Sequence, residues 1–176
     1  MKENSRSHYV VLGAGAVGGT MGALLAAAGH RVTLVGRPAL VEAVRRQQGL
    51  CLISSGSERL IGLEAVSESA DVRQIGPVIL FITTKANDLE GALASARHVF
   101  PRSTLTVTWQ NGLHAEEIAA ESFPNLLGGV VRATSTMLTP GEVRIRAPGL
   151  LIVGRTPPPP PARIDPEREH IVRDRV

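Results

Sequence analysis

Aromatic side chains are scarce: one Trp, one Tyr and three Phe make up 3% of 176 residues. A core must therefore come from Val, Ile, Leu and Ala, which suits a sheet of branched residues covered by Ala-rich helices. Cysteine is scarcer still. Cys51 is the single one, so no intrachain disulfide can form, and nothing calls for an oxidising compartment. It lies in the apolar run Leu50-Cys51-Leu52-Ile53 and reads as a small hydrophobe in a strand. No apolar run approaches the ~20 residues that cross a bilayer as a helix, so no membrane partner is expected. Lys2 and Arg6 precede an apolar stretch, but the five glycines from Gly13 to Gly22 fit a glycine fingerprint better than a signal peptide. A cytoplasmic protein is the expectation. Runs of one charge are also missing. Among the basic residues only Arg45 and Arg46 are adjacent, and no basic stretch interleaves with aromatics. The formal charge of +3 then describes a mildly basic solvated surface, and a nucleic-acid partner is not expected.

What remains is apolar and glycine-rich, with 43% hydrophobic residues and 18 glycines. Tyr9 to Leu12 is a short apolar run stopped by Gly13, the pattern of a fully buried parallel strand. Ala16 to Ala28 reads as a helix closed by Gly29, and Arg31 to Val35 as a second strand. The whole is a tight βαβ unit. Pro38 suits the first turn of a helix running to about Gln48, with Gly49 as its stop. Leu50 to Ile53 and Arg59 to Ala65 flank Ser54-Ser55-Gly56-Ser57 as a hairpin or a pair of short strands. Further strands are predicted over 78–83 and 104–109, and helices over 89–99 and 115–121. From residue 126 the pattern shifts. Gly128 to Val131, Val143 to Arg146 and Leu150 to Val153 read as strands joined by tight turns, with the alternation in 142–146 suggesting an antiparallel ribbon. The expected fold class is α/β: a Rossmann-type, doubly wound, mostly parallel sheet with antiparallel strands at one edge.

Gly13-Ala14-Gly15-Ala16-Val17-Gly18 matches G-x-G-x-x-G. Alone the pattern is weak; here it follows a buried strand, opens a helix and precedes a second strand, the context of a dinucleotide site. Gly13 would permit the tight turn, Gly15 the approach of a pyrophosphate, and Gly18 close packing of helix on sheet. The helix start offers free amides and the positive end of its dipole. At the end of the second strand an NAD site usually carries Asp or Glu for the ribose 2′-OH. This chain has Gly36-Arg37. A guanidinium can hold a 2′-phosphate as a planar donor, so NADP(H) is the expected cofactor.

Three features occur together: the Gly13–Gly18 loop with Gly36-Arg37, then Thr83-Thr84-Lys85-Ala86, then Gln110-Asn111-Gly112-Leu113, the last two each following a buried strand. In combination over 8–155 they resemble the ketopantoate reductase family, whose members reduce ketopantoate to pantoate with NADPH on the way to pantothenate. The resemblance implies that Lys85 closes over the cofactor, and that Asn111 contacts its nicotinamide side and helps place substrate. Both follow strand ends, where open α/β sheets put their ligands. Two departures stand out. His114 occupies a position where the family commonly has glycine. The family also continues into a helical domain that supplies the general-acid lysine and most substrate contacts, and no such domain is expected here. Instead Pro157 to Pro161 form a run of five prolines, which favours an extended stretch. The expected organisation is an NADP-binding domain over 8–155 and a proline-rich, disordered tail over 156–176. The expected behaviour is NADPH binding with little or no turnover, so no catalytic residue is assigned. A small-molecule keto acid becomes a substrate only if a helical domain completes the site. The alternatives are a non-catalytic NADP-binding module, a subunit completed in trans, or a reductase of another 2-keto acid. A sheet lacking its partner domain can also expose apolar surface and form a homo-oligomer.

Overall fold

Short runs of Val, Ile and Leu ending at glycine leave the chain little choice but buried strands, and the first of them organises the molecule. A computed structural model describes residues 7–110, 114–147, 149 and 151–155. β1 (His8–Leu12) leads through a glycine turn into α1 (Ala16–Ala27) and β2 (Arg31–Val35). α1 closes in a Schellman arrangement: Gly29 sits at φ +85°, its amide donates to the Ala26 carbonyl, and the His30 amide donates to the Leu25 carbonyl. α2 (Pro38–Gln47) opens on its proline as expected but ends differently. Gln48, not Gly49, takes the left-handed conformation, at φ 61°. Gly49 is needed for packing, since a Cβ there would lie 2.5 Å from the Ile61 carbonyl oxygen.

β3 (Leu50–Ser54) and β4 (Ser57–Ile61) form the hairpin, turning at Ser55 and Gly56 with φ of 50° and 78°. Two positive φ values mark the turn that matches strand twist. The stretch 59–65 divides: Ile61 ends β4, and β5 (Glu64–Val66) leaves the hairpin to pair with β2. β6 (Val78–Ile82), α3 (Leu89–Arg97), β7 (Leu105–Thr108), α4 (His114–Ser122) and β8 (Leu126–Val131) follow, with His114 at a helix start. β9 (Thr134–Thr136), β10 (Glu142–Ala147) and β11 (Leu151–Arg155) complete the described chain. The proline run and the rest of 156–176 lie outside the described residues.

The main sheet has seven strands in the order β11-β8-β7-β6-β1-β2-β5. All its pairings are parallel except β11 with β8. The chain steps outward from β1 to β2 and β5, returns to β6 and steps the other way, the doubly wound order whose switch point lies between β1 and β6. Successive β1 residues feed opposite faces. Val11 joins a core with α1 and α2, including Ala23, Leu40 and Val44. Val10 and Leu12 join one with α3 and α4, including Leu93, Ala119 and Phe123.

Two details differ from the sequence pattern. β8 is parallel to β7, so β11 alone forms the antiparallel edge. β10 is not in this sheet; it pairs in parallel with β3 and antiparallel with β9 in a second sheet of order β4-β3-β10-β9. The reason lies in α1, which is apolar on every side (AVGGTMGALLAA) and must be covered twice. Gly22 faces β2, where a Cβ would meet the Leu34 side chain at 2.6 Å. Gly19 faces the second sheet, where a Cβ would meet Val143 at 2.8 Å and Met137 at 2.9 Å. Burying Val143 against α1 takes β10 away from the main sheet's edge. Cys51 in β3 is half-buried and donates to the Glu58 carboxylate at 3.3 Å. Burial, that hydrogen bond and the nearby carboxylates push its thiol up to about 11, so it stays protonated.

Candidate functional site

β1 and β6 are neighbours whose connections run to opposite sides, and a doubly wound sheet is expected to take its ligand beyond the carboxyl ends of such a pair. The glycine turn lies at that end of β1. Gly13 lies at φ +96°, and a Cβ on it would stand 2.5 Å from the Thr84 amide nitrogen. The Thr83 hydroxyl sits 2.9 Å from the Leu12 carbonyl oxygen and 2.8 Å from that of Gly13, one donor shared by two acceptors. A Cβ on Gly18 would collide with that hydroxyl and come within 2.5 Å of the Gly13 carbonyl. Packing within the chain therefore accounts for Gly13 and Gly18.

Gly15 is different. It is the N-cap of α1 at φ −84°, an ordinary extended conformation, and nothing lies within 4 Å of where its Cβ would be. Neither backbone strain nor crowding by the chain demands glycine there. Its bare backbone faces open space beside the helix start. The first intrahelical bond is Gly19 N–H to Gly15 carbonyl, 2.7 Å, so the amides of Ala16, Val17 and Gly18 precede the ladder. The amides of Gly13 and Ala14 are already engaged, both donating to the Val35 carbonyl at 3.0 and 3.1 Å. Of the six loop residues, the last three thus offer amides and the first two shape the turn. No acidic residue sits in the first turn of α1, which keeps its positive end suited to an anion. This cradle fits a pyrophosphate.

The loop after β2 packs on the same turn: a Cβ on Gly36 would meet that of Ala14 at 2.9 Å. Arg37 follows as the N-cap of α2, with its side chain 86% exposed. Lys85 begins the turn after β6 and is exposed. Its carbonyl accepts the Asp88 amide at 2.9 Å. Asp88 stands opposite Arg37, with 4.0 Å between carboxylate and guanidinium. Asn111 lies outside the described residues. Its neighbour Gln110 donates to the Thr84 carbonyl at 2.6 Å and lies 3.0 Å from the Thr84 hydroxyl. That clasp ties the carboxyl end of β7 to the segment carrying Lys85. The structure thus gathers the glycine loop, Arg37 and Lys85 along one edge of the sheet. Sequence reasoning missed the Thr83 staple, the Gln110 clasp and Asp88. All three depend on β6 lying beside β1 and β7, which no local pattern displays. Among the described residues no three His, Cys, Asp or Glu side chains group as a metal site, and no helix is long and apolar enough to cross a membrane.

The opposite end of the sheet carries a short polar network. His8 is fully buried, its Nε2 2.9 Å from the Thr33 hydroxyl, which donates to Glu64 at 3.2 Å; Arg31 reaches Glu64 at 3.3 Å. Burial holds the His8 pKa below its usual 6.5, helped by the Arg31 charge and opposed by Glu64.

A family model described as ketopantoate reductase PanE/ApbA matches residues 9–158. The chain belongs to the ketopantoate reductase family. A 2-dehydropantoate 2-reductase of Pyrococcus horikoshii is 33% identical over 147 residues, covering 84% of this chain and 47% of that protein. The crystal structure of a PanE/ApbA family ketopantoate reductase from Ralstonia eutropha superposes with a TM-score of 0.74 at 29% identity, covering 82% of this chain and 48% of the other. A D-mandelate dehydrogenase, solved in a ternary complex with NADH and anilino(oxo)acetate, superposes with a TM-score of 0.71 at 26% identity, over 82% of this chain and 47% of its own. The family is one of oxidoreductases, and the chain spans about half the length of these relatives.

Proposed function

We propose that this chain is an NADP(H)-binding domain of the ketopantoate reductase type. Gly15 carries the reading: it is the one fingerprint glycine that the chain's own conformation and packing do not require, and it leaves open the space a pyrophosphate would enter. The amides of Ala16, Val17 and Gly18 hold the pyrophosphate, and Arg37 pairs with the 2′-phosphate. Lys85 stands at the mouth to close over the bound molecule. By the resemblance, Asn111 contacts the nicotinamide side and orients a keto acid.

When bound, the coenzyme supplies hydride to the ketone carbon of a 2-keto acid. The carbonyl oxygen then needs a proton donor. The family resemblance puts that lysine in the part of the relatives that this chain does not span. Tested as a separate polypeptide, residues 1–176 are proposed to bind NADPH and to turn over little unless such a proton donor is supplied in trans. Titration of NADP(H) and NAD(H) into wild type and Arg37→Ala tests the coenzyme assignment. NADP(H) binds tighter to wild type and Arg37→Ala removes the preference; tighter NAD(H) binding to wild type contradicts it. Robust ketopantoate-dependent NADPH oxidation by the purified chain contradicts the inactivity.

A further inference from the structure

The exposed ion pair across the mouth of the site carries information beyond coenzyme binding itself. Asp88 is the N-cap residue of α3, a position where a carboxylate ordinarily accepts an amide of the first turn. Here it makes no such capping bond. It faces Arg37 instead, at 4.0 Å, with side-chain exposures of 59% and 86%. The separation is too long for a hydrogen bond and the pair is open to water, so it adds little to the fold. Its consequence falls on whatever anion Arg37 receives.

We propose that Asp88 sets how strongly the site discriminates between NADP(H) and NAD(H), by opposing at Arg37 the phosphate that Arg37 attracts. This rests on the coenzyme reading above. A 2′-phosphate held by the Arg37 guanidinium must sit within several ångströms of the Asp88 carboxylate. The two anions repel, and the carboxylate competes for the same cation. A plain ribose places a hydroxyl there. A hydroxyl can donate to a carboxylate, as it does in sites that carry the acid at the end of the second strand. In this chain the acid comes from the turn after β6. Arg37 favours one coenzyme, Asp88 tolerates the other, and the preference for NADP(H) is moderated.

Calorimetric titration of NADP+ and NAD+ at low salt into wild type, Arg37→Ala and Asp88→Asn tests this. Asp88→Asn tightens NADP+ by roughly threefold to tenfold, the scale of an exposed charge pair acting on a doubly charged phosphate. NAD+ stays within about twofold or weakens, and added salt shrinks the gain on NADP+. Asp88→Ser, which keeps a capping side chain, gives the same shift and guards against a folding defect in the first variant. If wild type prefers NADP+ and Arg37→Ala abolishes the preference, yet both Asp88 variants leave NADP+ unchanged or weaker, the inference fails and the coenzyme reading stands. If wild type binds neither coenzyme, both fail.

Discussion

At the amino ends of the parallel strands, polar side chains pair with one another: buried His8 with Thr33, Thr33 with Glu64, and part-exposed Glu64 with Arg31, while His8 Nδ1 and Arg31 Nε have no partner. At the carboxyl ends, Gly15, Arg37 and Lys85 face outward. Both ends belong to the same strands and share the same cores. The difference shows that the sheet's polar ends are not equivalent by default. Polar side chains that pair with one another are held by the fold, whereas a glycine that nothing in the chain requires keeps a surface available for a ligand.

Substitutions at two of the fingerprint glycines, at Thr83 and at His8 break or sharpen this contrast. The largest effect belongs to Gly13→Ala. The methyl group meets the Thr84 backbone at 2.5 Å from a positive φ, and backbone cannot move aside cheaply. A loss of about 3 kcal/mol or more is expected in denaturant unfolding, with coenzyme binding lost alongside; a loss under 1 kcal/mol would mean the turn is more plastic than its packing indicates. Gly15→Ala separates binding from folding. Stability falls by less than about 1 kcal/mol, the cost of alanine at an N-cap, while NADPH affinity drops at least about tenfold. Equal losses in both would make Gly15 structural. Thr83→Val removes the hydroxyl shared by the Leu12 and Gly13 carbonyls, and about 1–2 kcal/mol of stability should go with it, read in the same unfolding experiment.

The smallest effect concerns the amino end. The folded-state pKa of His8 is depressed, so the native chain favours the neutral ring more than the unfolded chain does. Its contribution is full above the unfolded value of about 6.5 and is lost as the pH falls below it. Stability measured from pH 7.5 down to 5 should decline, and His8→Gln should flatten that slope. An unchanged slope would show that other groups govern the acid limb.

How much of this was legible in the sequence follows from range. The unit from Tyr9 to Val35 was plain because every signal in it is local: a buried run, glycines at set spacing, a helix stopped by Gly29. The second sheet was not. Residues 142–147 show their alternation openly, but the partner of Val143 is Leu52, and nothing nearby names it. One clue was present, the absence of any polar face on α1, which only two-sided burial explains. The run 59–65 merged two strands because Leu60-Ile61-Gly62-Leu63 carries no charge or proline to mark the break. At the site, Gly15 and Arg37 announced themselves through motif and position. Thr83, Gln110 and Asp88 did not, since their work depends on which strands lie side by side.

The central claim is that the backbone around Gly15 and the Arg37 guanidinium together grip an adenine dinucleotide bearing a 2′-phosphate. Isothermal titration of the folded wild-type chain with NADPH, beside an identical titration with NADH, addresses it most directly. A saturable heat near one equivalent of NADPH, with weaker binding of NADH, is the predicted outcome. No heat from either coenzyme, in protein shown to be folded, would contradict the account.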